Sequence, residues 1–220
     1  MNPYVLAAIF GGVALVALAG TSAPRPSVDR GERGEMLEEI RRMVGHLESQ
    51  FGPMPGLADF LVATAFRESN FNPRAQANTS SNAARGLYQM RPNSVFKAGW
   101  GTENLSDVGL IFDPVVATVF AVQHVADAAR ASMVRGEQRP ATWAAVRRWW
   151  GYPSRVHDHG RDLEWSRASY DKLKKAIRDV NSAYGQTIPE RLVDRTVDTS
   201  NYPGIEALAE ALGVRGVLYA

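Results

Sequence analysis

The stretch FRESNFNPRAQANTSSNAARGLYQMRPNS, Phe66 to Ser94, carries a single carboxylate, Glu68, among Arg67, Arg74, Arg85 and Arg91. No further Asp or Glu follows until Glu103. Immediately upstream, LADFLVATAFRES has the apolar spacing of a helix, and Leu61, Thr64 and Ala65 fall on the same helical face as Glu68. The acid is therefore expected to point inward from the end of that helix. Desolvation of a carboxylate disfavours its charged form, which is the condition a general acid needs at neutral pH. The plain alternative is that Glu68 swings into solvent from the last turn, as most helical glutamates do.

Outward from this helix the chain reads as mainly α. Met36, Ile40, Met43 or Val44, Leu47 and Phe51 recur at helical spacing, and Gly52-Pro53 stops that helix. Asp113-Pro114 reads as an N-cap followed by proline at the first helical position, opening a helix through Val116, Phe120 and Val125 to about Gly136. TWAAVRRWW forms a shorter helix, and Tyr170, Leu173, Ile177, Val180 and Tyr184 line one face of another that ends at Gly185. Strand-like alternation is confined to a small hairpin expected between Gln76 and Leu87, and no internal repeat occurs.

With 220 residues the chain holds one globular domain with appendages. Its formal charge of +2 is nearly balanced and not clustered, so no nucleic-acid partner is expected. The absence of cysteine excludes disulfides, thiolate nucleophiles, a lipoprotein anchor and Cys-based metal sites. His157-Asp158-His159 lacks further ligands at metal spacing and reads as a solvated loop, so neither metal nor cofactor is expected.

Residues 1–24 form the first appendage. No charged side chain lies between Asn2 and Pro24, and a run of this length matches a hydrocarbon core of about 30 Å. Ala17-Leu18-Ala19 resembles a signal cleavage site, but MNPY carries no Lys or Arg, so an uncleaved transmembrane anchor is favoured over a signal peptide. Residues 25–35, punctuated by Pro26, Gly31 and Gly34, read as a linker to a domain spanning 36–185. Residues 186–220 form a tail with a short amphipathic helix from about Ile205 to Leu212, which either packs back on the domain or docks on a virion or envelope protein.

Glu68-Ser69, Phe71-Asn72-Pro73 with Ala75, and Gly86-Leu87-Tyr88-Gln89-Met90 with Pro92 together resemble the signature of the soluble lytic transglycosylase family. The order and separation of the two blocks carry the resemblance, which extends from about Phe51 to Trp150. It implies an α+β, lysozyme-like domain that cleaves the MurNAc-GlcNAc bond of peptidoglycan glycan strands. One glutamate works alone in that family, the substrate's own 6-hydroxyl closing a 1,6-anhydro ring. A conventional glycosidase needs a second carboxylate about 5 to 9.5 Å away. The acid-free run after Glu68 therefore favours transglycosylation, unless Asp107, Asp158 or Asp162 folds back to restore a pair.

By the resemblance Glu68 is catalytic, Ser69 orients Glu68 or a sugar N-acetyl group, Gly86 permits close backbone approach, and Tyr88 and Gln89 line the sugar groove. Arg74, Arg85 and Arg91 read as solvated surface arginines. The family's A-Y-N-x-G block, whose tyrosine hydrogen-bonds the glutamate, is replaced here by Val146-Arg147-Arg148-Trp149-Trp150-Gly151-Tyr152-Pro153. Trp149, Trp150 and Tyr152 are the candidates for that place, or for sugar stacking, with core packing the competing use of the tryptophans. The expected setting is a membrane-anchored enzyme facing the periplasm or cell wall, or a phage virion protein that opens the wall during genome delivery. An inactive peptidoglycan-binding protein on the same fold and a hydrolytic lysozyme are the alternatives.

Overall fold

The structure is a computed structural model and describes residues 30–92, 95, 105–134, 141–150 and 162–218. The proposed anchor at 1–24 lies outside the described residues. Among those described, no helix is long and apolar enough to cross a membrane.

Helix α1 (Arg30–Phe51) begins inside the stretch read as linker. The Arg and Glu residues of its first turns are good helix formers, and they outweigh Gly31 and Gly34, each worth about 1 kcal/mol against the helix. Leu37, Ile40, Met43, Val44 and Leu47 form its buried stripe. Helix α2 (Leu57–Ser69) has the bounds the sequence predicts, and it is buried on every side from Phe60 to Ala65. A helix apolar all round belongs in a core.

The loop beyond α2 forms isolated antiparallel bridges, Gln76 to Arg85 and Arg85 to Met90, in place of a full hairpin. A 3₁₀ segment (Leu105–Phe112) leads into α3 (Pro114–Val134). Asp113 caps α3 as its sequence position implies, Oδ1 accepting from the Val115 and Val116 amides at 2.8 and 3.0 Å. Then come α4 (Trp143–Trp150) and α5 (Asp162–Tyr184), the latter burying Leu173, Ile177 and Val180.

The tail packs back on the domain. Beyond Gly185 the Asn181 amide donates to the Ile188 carbonyl at 2.8 Å and accepts from its N–H at 3.0 Å, turning the chain back along α5. A second 3₁₀ turn (Glu190–Asp194) buries Leu192 and Val193. Thr196 then bridges Thr142 antiparallel, with Trp143 N–H donating to Arg195 O at 3.1 Å and Val197 N–H to Ala141 O at 2.7 Å. Helices α6 (Ile205–Ala211) and α7 (Arg215–Leu218) bury Leu208, Ala209 and Leu218 in the common core. Arg41 joins three segments, donating to Asp59 of α2 and to Gln186 at the start of the tail.

Candidate active site

Glu68 sits in the last turn of α2, where the buried helix meets the loop. Asn70 and Phe71 take left-handed conformations, with φ of 52° and 60°. The Asn70 N–H closes the helix on the Phe66 carbonyl at 2.8 Å. This sharp exit buries Phe71 against Phe66 and Tyr184, and it leaves the Glu68 side chain about a quarter exposed. The acid is neither fully desolvated nor free in water.

Its partner is Arg147 of α4, whose Nη2 donates to Glu68 Oε1 in a short ion pair. The Arg147 side chain is 10% exposed, so the contact is shielded from solvent on the arginine side. The sequence reading missed this residue, although a signal for it exists. Trp143 and Trp150 both turn toward α2, Trp143 stacking on Phe60 at 4.8 Å and Trp150 meeting it edge-on at 5.6 Å. Arg147 lies four residues after Trp143 and three before Trp150, so it shares their face. A cation on an inward face requires an anion, and Glu68 is the inward acid.

Around this pair the expected groove residues take other positions. Ser69 does not orient Glu68: its Oγ donates to the carbonyls of Leu87, at 2.7 Å, and Ala65, at 3.0 Å, fastening the end of α2 to the Gly86–Met90 block. Gly86 approaches protein backbone, since a Cβ there would lie 2.1 Å from the Ile111 carbonyl oxygen. Gln89 is half-buried at φ 50°, and its Nε2 donates to Ala75 O and Gly86 O at 3.0 and 3.1 Å. Arg85, expected in solvent, is buried and braces the loop by donating to the Ser80 and Ser81 carbonyls, both at 3.2 Å. Arg67, Arg74 and Arg91 are exposed.

Tyr88 belongs to the core. It is 1% exposed, and its hydroxyl lies 3.4 Å from Thr118 Oγ1. Because Thr118 spends its own proton on the Pro114 carbonyl, Tyr88 is the donor. Burial pushes the Tyr88 hydroxyl well above the ordinary tyrosine range, with the Thr118 hydrogen bond acting in the opposite direction. The folded state therefore holds this proton where the unfolded chain, above about pH 10, releases it. Stability is complete below about pH 10 and falls above it, by up to about 1.4 kcal/mol per pH unit from this group. Tyr88→Phe is expected to flatten that alkaline loss in denaturant melts across pH 9 to 11, at a cost of about 1 kcal/mol at neutral pH.

Trp150 is also a packing residue. Its indole meets Tyr88 and His124 edge-on at 6.0 and 4.9 Å and donates to Tyr88 O at 3.3 Å. The Trp149 side chain, Tyr152 and the His157–His159 loop lie outside the described residues, as do the side chains of Asp107, Asp158 and Asp162.

Residues 55–141 match the family model described as the transglycosylase SLT domain, so this part of the chain is an SLT domain. The match covers less than half of the chain and supports, at the level of the family, lytic transglycosylase activity on peptidoglycan for the matched segment. The matched segment contains Glu68 and ends just before α4, leaving Arg147 and the packed tail outside it. No curated protein and no solved structure matches the chain.

Proposed function

We propose that the protein cleaves the β-1,4 bond between MurNAc and GlcNAc in peptidoglycan by transglycosylation, with Glu68 as the only acid and base. The observation carrying this reading is the position of Glu68. It stands at the exposed end of a buried helix in an SLT domain, followed by a loop with no second acid before Glu103. Protonated Glu68 gives its proton to the bridging oxygen, and the MurNAc C1–O bond breaks through an oxocarbenium-like state. The 6-hydroxyl oxygen of the same sugar then bonds to C1, and its proton passes to the Glu68 carboxylate. One bond is broken and one formed, no water is consumed, and Glu68 ends as it began.

Sugar contacts by Trp149 and Tyr152 belong to this proposal, whereas Tyr88 and Trp150 serve as packing. The reaction suits local opening of a cell wall, whether by an envelope enzyme or by a virion protein. Digestion of purified sacculi, with mass spectrometry of the fragments, tests the chemistry. Fragments ending in 1,6-anhydroMurNAc are expected. Reducing ends would identify a hydrolase, and intact sacculi after treatment with folded protein would identify a binding protein.

A further inference from the structure

We infer that Arg147 is the positioning residue of the candidate catalytic acid, holding Glu68 Oε1 so that Oε2 is the oxygen presented to the glycosidic bond. The inference rests on the reading of Glu68 as the acid and base, and it adds a residue that lies beyond the SLT segment.

The geometry supports it at each end of the pair. Glu68 belongs to the last turn of α2, where the chain leaves the helix through two left-handed residues. A glutamate at such a place has three rotatable bonds and little backbone to hold it, and a proton transfer needs heavy atoms within about 3 Å. Arg147 donates directly to its carboxylate. Guanidinium is planar, always charged and pre-organised as a hydrogen-bond fork, so it fixes a carboxylate at small entropic cost.

Arg147 is itself held. It lies between Trp143, fully buried, and Trp150, whose ring is wedged among Phe60, Tyr88 and His124. The first turn of α4 is anchored by Arg195 and Val197 of the returning tail. The arginine is thus fixed from two directions before it reaches Glu68. Across both halves of the reaction the contact supplies position. The proton leaves from and returns to Oε2, while Oε1 stays on the guanidinium, so the carboxylate need not reorient between steps.

The test compares Arg147→Gln, Arg147→Lys and Arg147→Ala with the unaltered chain on soluble glycan strands. Arg147→Gln is expected to lose about 10²-fold in kcat, the scale of a misplaced catalytic group, with KM within about twofold, at a temperature where a thermal melt shows the variant folded. Arg147→Lys, which keeps the charge without the fork, should recover part of kcat. Added guanidinium ion should raise the rate of Arg147→Ala, but not that of the unaltered chain or of Glu68→Gln. Full kcat in folded Arg147→Gln would overturn the inference. So would a loss that follows the melting temperature and is not rescued by guanidinium, since that is the pattern of a purely structural arginine. If Arg147→Gln does not fold, Arg147→Lys decides by the same split: lowered kcat at unchanged KM and stability supports positioning, and unchanged kcat rejects it. Retained turnover in Glu68→Gln would instead remove the reading of Glu68 and leave the ion pair without a catalytic meaning.

Discussion

Glu68→Gln is expected to lower turnover on peptidoglycan by at least about 10³-fold, equivalent to about 4 kcal/mol of transition-state stabilisation. The size follows from the double duty of one group. A glutamine can neither deliver the proton that releases the leaving sugar nor accept the one that comes off the 6-hydroxyl. Its amide oxygen can still accept from Arg147, but the shielded guanidinium loses its counter-charge, so the melting temperature is expected to fall and turnover is read at a temperature where both forms are folded. Anhydro-product formation counted by mass spectrometry, beside a thermal melt, checks both parts. Turnover above about a tenth of the original would mean that another group carries the acid.

Gly86→Ala should be the most damaging single methyl in the domain. Its φ of +72° lies in the left-handed region, where a Cβ costs about 1 kcal/mol or more. The new carbon would also stand 2.1 Å from Ile111 O and 3.1 Å from Ile111 C, backbone atoms that cannot rotate away. With overpacking adding about 1–3 kcal/mol, a total of roughly 2–4 kcal/mol and a melting temperature lower by about 10 °C are expected. Gly185→Ala supplies the comparison, because its φ is +64° but nothing lies within 4 Å of the added carbon. It should cost only the backbone share. Equal losses for the two variants would show that the Ile111 contact yields easily. Activity should fall with stability at Gly86, since the adjacent Leu87 carbonyl is where Ser69 ties down the end of α2.

Where one local signal dominated, the sequence was legible. The thirteen residues of α2 read correctly because the apolar spacing of LADFLVATAFRES is unambiguous. Asp113 announced its cap because a short acceptor before proline has few other uses. Long-range contacts were harder. Tyr88 falls in a groove by the family resemblance and its ring face, with core packing the alternative, and the left-handed Gln89 beside it lies in a turn whose tyrosine is buried. Arg85 was placed in solvent by its type, and only the folded loop shows two carbonyls converging on it. Arg147 was hidden by its neighbours. Three aromatic residues nearby are the more obvious substitutes for a tyrosine, although the helical face shared with Trp143 and Trp150 singles out the arginine. The tail gave no hint of its partner, because a bridge between Thr142 and Thr196 depends on backbone atoms alone.

That bridge sets an order of assembly. The SLT segment, with Glu68 in it, precedes α4 along the chain, and the residues that anchor the first turn of α4 come later still, at 195–197. During synthesis, the helix carrying Glu68 is therefore made well before the segment that seats its arginine partner. Pairings so distant in sequence form late, after the loop between them has been closed. A ribosome-bound chain would hold Glu68 before the segment that anchors the helix of its arginine partner has been made.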